Sequence, residues 1–256
     1  MHAHPVDHVP TATVGRANTR PRRPRLALAW VTAALLAVGC SLPLQSARMR
    51  LPGALEIAAP LPFEGMGGGR SGRLQLEGQG IVFRRMGDAL SMFDRLRLDR
   101  VSVAFEFEGS TANGGPPAGG RCDGRASGLT AGLVDSAASP LSVSCRFTGA
   151  ASGELVLREL RLAGAGTRQS REGQARFGAT VIDIRSEHAL VGSPLPLSQP
   201  AGYRLMINGR DVAALELTDG QPVLRRAEGL DAPTRLAVTQ VALALGLLFE
   251  PAVTLR

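Results

Sequence analysis

The sequence predicts a mainly β protein: an antiparallel β-barrel or strongly curved sheet that encloses a C-terminal hydrophobic α-helix, preceded by a signal-peptide helix. Three observations predict this fold class. Polar and apolar residues alternate with a period of two in several segments after residue 72, which is typical of strands with one buried face. Turn residues separate these segments at intervals of about 8–12 residues, as in barrels and sandwiches. The last long segment is apolar on every face and therefore needs to be surrounded.

Residues 1–39 have the pattern of a secretion signal. An arginine-rich stretch at 20–25 precedes an apolar stretch at 26–38, which is shorter than the roughly 20 residues that a membrane-spanning helix needs. The apolar stretch ends in the residues Leu-Ala-Val-Gly-Cys at 36–40. This ending resembles the lipobox of bacterial lipoprotein precursors, in which Gly or Ala precedes an obligatory Cys.

The resemblance implies cleavage after Gly39 and acylation of Cys40, which becomes the first residue of the mature protein. Ser41 follows, rather than the Asp linked to inner-membrane retention, so we expect the periplasmic face of the outer membrane in a cell with two membranes. Ala37 departs from the usual Leu of the motif. The alternatives are ordinary cleavage nearby or a retained anchor. The N-terminus is also long for a signal peptide, and Val14 is a candidate start.

The composition gives no support to a nucleic-acid partner. All 29 basic residues are arginine, and the formal net charge is +7. The first 39 residues hold five Arg and one Asp, which leaves +3 spread evenly over the remaining chain. A nucleic-acid-binding domain concentrates its positive charge in a patch.

Residues 40–71 are predicted to be a flexible tether, because four prolines and the glycine cluster at 65–69 disfavour regular structure. The glycine cluster is not interpreted as a phosphate-binding loop, since no Lys follows it and no strand–turn–helix pattern surrounds it.

Residues 72–256 are predicted to form a single β-rich domain. A loop is expected at 109–121, and the clearest hairpin turns at Asn208-Gly209, which suits a type I′ turn. The predicted strands lie within 72–108 and at 141–148, 153–163, 175–184, 203–207, 210–217 and 222–225.

Cys122 and Cys145 are the two cysteines that remain after Cys40. In an exported protein such a pair is most simply a disulfide. Redox activity and metal binding are the alternatives. Two thiols alone are too few ligands for a metal, so no metal and no cofactor are predicted.

The C-terminal core helix is predicted at 231–249, with Asp231 as its N-cap and Pro233 in its first turn. Its apolar residues include Leu236, Val241, Leu243 and Leu247. The apolar run is shorter than a bilayer span, so a helix enclosed by the sheet is favoured over a membrane anchor. Gln240 interrupts the run and is expected to bond a strand backbone group, because a buried amide needs a partner.

A catalytic reading starts from His188, the only histidine after Cys40. Ser186 would share its face of a strand, so a hydrolase that uses His188 is an alternative. A structural histidine is favoured, since no Gly-x-Ser-x-Gly motif is present. Glu106 and Glu108 also share a face but fit ordinary strand alternation. The pair Arg225-Arg226 is read either as a lipid-phosphate contact or as a solvated strand end.

The layout of strands followed by an apolar helix at 72–250 resembles the Tubby C-terminal-like barrel that is shared with phospholipid scramblases. In that family the last helix runs through the barrel, and the family is associated with membrane lipids. No functional residue of the family has a match here, so none is carried over.

Taken together, the sequence predicts a membrane-anchored envelope lipoprotein that is a non-catalytic binding or structural module rather than an enzyme. The expected partner is the membrane, through the lipid on Cys40, with a lipid or an envelope protein as further candidates. The alternative is a lipid-handling barrel whose interior or mouth takes an acyl chain.

Overall fold

The computed structural model describes residues 47–92, 96–109, 117–131, 134–160 and 168–248. These residues form twelve strands and two helices. In chain order the elements are α1 Gly53–Glu56, β1 Pro60–Pro62, β2 Ser71–Leu76, β3 Gln79–Met92, β4 Leu96–Phe107, β5 Gly119–Ala131, β6 Val134–Thr148, β7 Gly153–Leu160, β8 Ser170–Phe177, β9 Thr180–Glu187, β10 Gly202–Ile207, β11 Arg210–Glu216, β12 Val223–Arg226 and α2 Ala232–Gly246.

The strands form one antiparallel sheet that curves into a nearly closed barrel. Strands β2 to β12 each pair with their neighbours in sequence, and β1 pairs with β12. The two edges meet just after β1, where Glu64 forms an antiparallel bridge with Gln75 of β2. Its two backbone N–H···O distances are 2.9 and 2.8 Å. The predicted barrel is therefore confirmed, while the predicted signal-peptide helix lies outside the described residues.

Helix α2 lies inside this barrel. Asp231 caps it by accepting a hydrogen bond from the Thr234 amide at 2.8 Å, and Pro233 is in the first turn, as the sequence predicts. Residues 237–246 are all buried, whichever side of the helix they occupy. The Ala, Val and Leu residues among them share one hydrophobic core with the inward-facing side chains of the strands, among them Leu74, Phe83, Phe105, Phe147, Leu155, Ile182, Ile184, Leu205 and Leu215. The helix ends at Gly246, and Phe249 of the predicted range lies outside the described residues.

The chain before residue 71 differs from the predicted tether. Met49, Leu55 and Phe63 are fully buried. Met49 and Leu55 pack with Ala214 on the outer surface of β11, while Phe63 belongs to the core inside the barrel. The prolines that indicated a tether suit this arrangement, since a short edge strand such as β1 tolerates proline. The tether prediction is therefore wrong from residue 49 to β1, and the packed domain begins well before residue 72.

Two predicted strand boundaries are also wrong. The predicted strand at 175–184 is the end of β8 and the start of β9, joined by a turn in which Gly178 has φ +58°. Residues 119–121, assigned to a loop because of their glycines, begin β5. A Cβ atom at Gly120 would lie 2.7 Å from the ring of Phe105, so this strand residue has to be glycine. The Asn208-Gly209 turn is as predicted, with φ angles of 52° and 76°.

Candidate functional site

The lipidation residues Gly39 and Cys40 lie outside the described residues, which begin at Ala47. Only six residues therefore separate Cys40 from the described domain. The backbone is already held at Met49, which forms an antiparallel bridge with Leu190 and donates its N–H to Glu216 Oε1 at 2.7 Å. The start of the folded domain is thus fixed next to the connection between β9 and β10.

The two remaining cysteines are paired as the sequence predicts. Cys122 of β5 and Cys145 of β6 are directly opposite each other in the sheet register, and their sulfur atoms are 2.09 Å apart, a bonded distance. Both side chains face the buried interior. This position gives the bond a structural role within the core.

The barrel interior is occupied by the helix residues singled out from the sequence. Val241, Leu243 and Leu247 are completely buried, and Leu236 is partly buried near the start of the helix. Gln240 bonds the strand backbone as expected, since its Nε2 donates to Thr148 O at 3.2 Å. Its buried Oε1 has no hydrogen-bond partner among the described residues. These contacts leave the centre of the barrel filled with the protein's own side chains.

The histidine predicted as a candidate base, His188, is buried just after the end of β9. Its Nε2 lies 3.0 Å from Ser186 Oγ, and its Nδ1 lies 3.0 Å from Leu197 O and 3.1 Å from Gln199 O. Since carbonyl oxygens only accept, Nδ1 carries the proton and Nε2 accepts from the Ser186 hydroxyl. Burial is the main cause that lowers the pKa of His188, so the ring is neutral at pH 7.

The Ser186–His188 pair has the hydrogen bond that a serine nucleophile and its base require. Its other contacts have a structural purpose. Ser186 Oγ also accepts from the Arg171 amide of β8 at 2.8 Å, and the Leu197 amide donates to His188 O at 2.9 Å. The ring thus ties β8, β9 and the following loop together. Both ring nitrogens have hydrogen-bond partners, as expected for a buried histidine with a structural role.

The loop that His188 holds is a feature that our sequence reading missed. Residues 189–200, here called the apolar loop, expose 63% of Val191, 75% of Leu195 and 40% of Leu197. The signal was present as four large apolar residues, Leu190, Val191, Leu195 and Leu197, within a stretch of Gly, Ser and Pro, where a solvated turn would have polar residues. A depression of about 520 Å³ adjoins the loop and is lined by Arg50, Arg168, Ser170, Ser186, Ser193 and Pro196, among others.

The charged residues considered from the sequence have separate positions. Glu106 and Glu108 are exposed, and Glu108 forms an ion pair with Arg73. The interpretation of the arginine pair as a solvated strand end is wrong. Arg225 is buried and donates to Ala58 O at 2.7 Å, while Arg226 binds both carboxylate oxygens of Glu77 at 2.6 and 2.8 Å. Both arginines therefore connect parts of the fold.

Arg226 also contacts Thr239 of helix α2, with its Nη1 3.2 Å from the hydroxyl oxygen. The hydrogen bonds from Arg226 are the main cause that lowers the pKa of Glu77 below its ordinary value. The ion pair therefore joins the β2–β3 turn, β12 and the enclosed helix.

Comparison with known proteins assigns no family: no protein-family model, no curated protein and no solved structure matches the chain. Among the described residues, no helix has the length and apolar character needed to cross a bilayer. The same residues contain no group of three or more His, Cys, Asp or Glu side chains arranged to hold a metal ion.

Proposed function

We propose that this protein is an exported lipoprotein, held at the cell envelope by acyl chains on Cys40, whose barrel is a non-catalytic binding or structural module. The anchor part of the proposal depends on the lipobox-like residues 36–40 after a basic and an apolar stretch. Attachment of several acyl chains to Cys40 would make membrane association effectively stable, whereas a single chain gives marginal binding.

The observation that supports a module working through its outer surface is the position of helix α2. Its residues 237–246 are buried on every side, and the Ala, Val and Leu residues among them belong to the same core as the inward-facing strand residues. A ligand inside the barrel would have to displace this helix, with the loss of the Gln240 hydrogen bond and of the contacts of the completely buried Val241 and Leu243. The filled interior therefore argues against the lipid-handling alternative.

The hydrolase alternative has one favourable feature, the Ser186–His188 hydrogen bond. In place of an orienting carboxylate, however, Nδ1 of His188 faces two loop carbonyl oxygens that also position the apolar loop. We therefore assign the pair a structural role. Treatment of the folded protein with a fluorophosphonate tests this assignment, because an activated Ser186 would be labelled and a Ser186→Ala variant would not.

The anchor is tested by following acylation and membrane association in the cell of origin. We expect the wild-type protein to incorporate a labelled fatty acid and to sediment with membranes, and we expect a Cys40→Ala variant to do neither. The double variant Cys122→Ser, Cys145→Ser is the matched control, because it removes the other cysteines while keeping the acylation site. A Cys40→Ala variant that remains acylated would refute the proposal.

A further inference from the structure

The apolar loop presents its hydrophobic side chains in a fixed conformation. Its backbone is held at 2.8 Å by the bonds from Val191 N to Arg48 O and from Gln169 N to Ser198 O. Within the loop, the Ser193 hydroxyl donates to Leu195 O at 2.9 Å. The buried His188 ring binds the carbonyl oxygens of Leu197 and Gln199 through Nδ1. Exposure of Val191, Leu195 and Leu197 is therefore built into the fold. Three large apolar side chains held on the surface in this way mark a contact site.

Cationic side chains lie beside the loop. Arg50 and Arg168 are exposed and line the depression that Ser193 and Pro196 of the loop also line. Neither arginine forms an ion pair within the described part of the chain. The acidic side chain in the same depression is Glu187, and its Oε1 accepts the amides of His188 and Ala189 at 2.9 Å each. The face is apolar at its tip and positive at its side.

The predicted anchor is close to this face along the chain. The domain is fixed at Met49, whose bridge partner Leu190 belongs to the apolar loop. Seven peptide steps separate Cys40 from Ala47, and an extended chain covers at most about 25 Å in seven residues. An acylated Cys40 therefore places Ala47 within about 25 Å of the bilayer surface.

From these three observations we infer that the apolar loop, with Arg50 and Arg168 beside it, is the surface by which the barrel docks on the phospholipid bilayer. Val191, Leu195 and Leu197 enter the boundary between headgroups and acyl chains, and the two arginines meet lipid phosphates. Apolar residues flanked by cations are the pattern of interfacial membrane contacts. The inference rests on the proposed anchor at Cys40, and it assigns His188 the role of holding the docking loop in place.

The mature chain provides a clean reporter for this contact. The only tryptophan is Trp30, which precedes the predicted cleavage site, so a Leu195→Trp variant would carry one tryptophan after processing. The lipidated variant is reconstituted into vesicles of phosphatidylethanolamine and phosphatidylglycerol, with and without bromine on the acyl chains. Val82→Trp is the matched control, since Val82 is an exposed apolar residue on β3, on the opposite wall of the barrel. Val191→Trp is a second reporter within the loop.

We expect the Leu195→Trp and Val191→Trp emission to shift to the blue on reconstitution and to lose intensity with brominated lipids, while Val82→Trp changes in neither respect. Adding Arg50→Gln and Arg168→Gln to Leu195→Trp should reduce the quenching in vesicles that contain phosphatidylglycerol. Unquenched loop reporters in protein whose intact mass shows acylation would overturn the docking surface and leave the anchor standing. A blue shift without quenching would show that protein, such as a second copy, covers the loop. An unacylated mass would overturn both proposals.

Discussion

Truncation of Leu243 to Ala measures how completely helix α2 is enclosed. Leu243 is completely buried inside the barrel. The change removes three carbon atoms, which is worth about 2.4 kcal/mol at ~0.8 kcal/mol for each buried carbon. Strands surround the helix, so the site collapses little and the cavity raises the loss of unfolding free energy to about 3–5 kcal/mol. For a domain of this size the melting temperature should fall by about 10 °C.

Urea unfolding of the mature domain, with its disulfide intact, measures this loss of unfolding free energy. The transition is monitored by far-ultraviolet circular dichroism and by the fluorescence of Tyr203, the only tyrosine, which is buried. Arg235→Ala on the exposed first turn of the same helix is the control and should change stability by no more than about 0.5 kcal/mol. A Leu243→Ala loss below about 1 kcal/mol would refute the enclosed helix. So would a soluble, cooperatively unfolding Leu243→Asp variant, because a carboxylate in that position would be buried without a partner.

The remaining predictions concern the other contacts of the barrel. Gly246→Ala should lower the free energy of unfolding by about 1–2 kcal/mol despite the better helix propensity of alanine. The reason is that the new Cβ would lie 2.7 Å from the buried Phe63 ring. A neutral effect in thermal unfolding would show that the Phe63 ring does not pack tightly against Gly246, and adding Phe63→Leu to Gly246→Ala should restore part of the lost stability. Replacing Cys122 and Cys145 by Ser should lower the free energy of unfolding by on the order of 3 kcal/mol, since the bond spans 23 residues. An unchanged urea unfolding curve would contradict this. Because the folded pKa of His188 is lowered, the unfolded chain binds the proton first, and stability should fall as pH drops below about 6.5. The His188→Ala variant should lose this pH dependence of stability. If the variant keeps it, another titrating group is responsible.

The parts of the fold that the sequence predicted depend on strong local signals. An apolar run without a polar face predicts an enclosed helix, and Asp231 with Pro233 predicts its start. The Asn208-Gly209 turn follows from the positive φ angles that a type I′ turn needs. These residues determine their own conformation, so no knowledge of the remaining chain was required.

The errors arose where distant contacts override local preference. Residues 49–63 look like a tether because of their prolines, yet Phe63 is buried by packing against Gly246, more than 180 positions later in the chain. Gly120 looks like a loop residue, yet it is a strand residue whose missing side chain makes room for Phe105. In both cases the controlling residue belongs to another element, and a window of local sequence does not contain it.

The candidate site shows the same division. The alternation of side chains along a strand predicted that Ser186 and His188 share one face, and the structure brings them within hydrogen-bond distance. The role of the pair was not predictable, because it depends on Leu197 and Gln199, whose carbonyl oxygens come from the loop beyond the strand. The sequence showed apolar residues in the loop, but only the fold shows that 63% of Val191 and 75% of Leu195 are exposed.

The most direct test of the whole account is the intact mass of the protein extracted from its own envelope, measured under denaturing and native conditions. We predict a denatured mass equal to residues 40–256 plus acyl groups and less two hydrogen atoms, which reports both the lipid on Cys40 and the Cys122–Cys145 bond. The native mass should contain no further lipid, because helix α2 fills the barrel. An unacylated chain cut at another position would contradict the anchor, and a lipid released only on denaturation would contradict the filled interior.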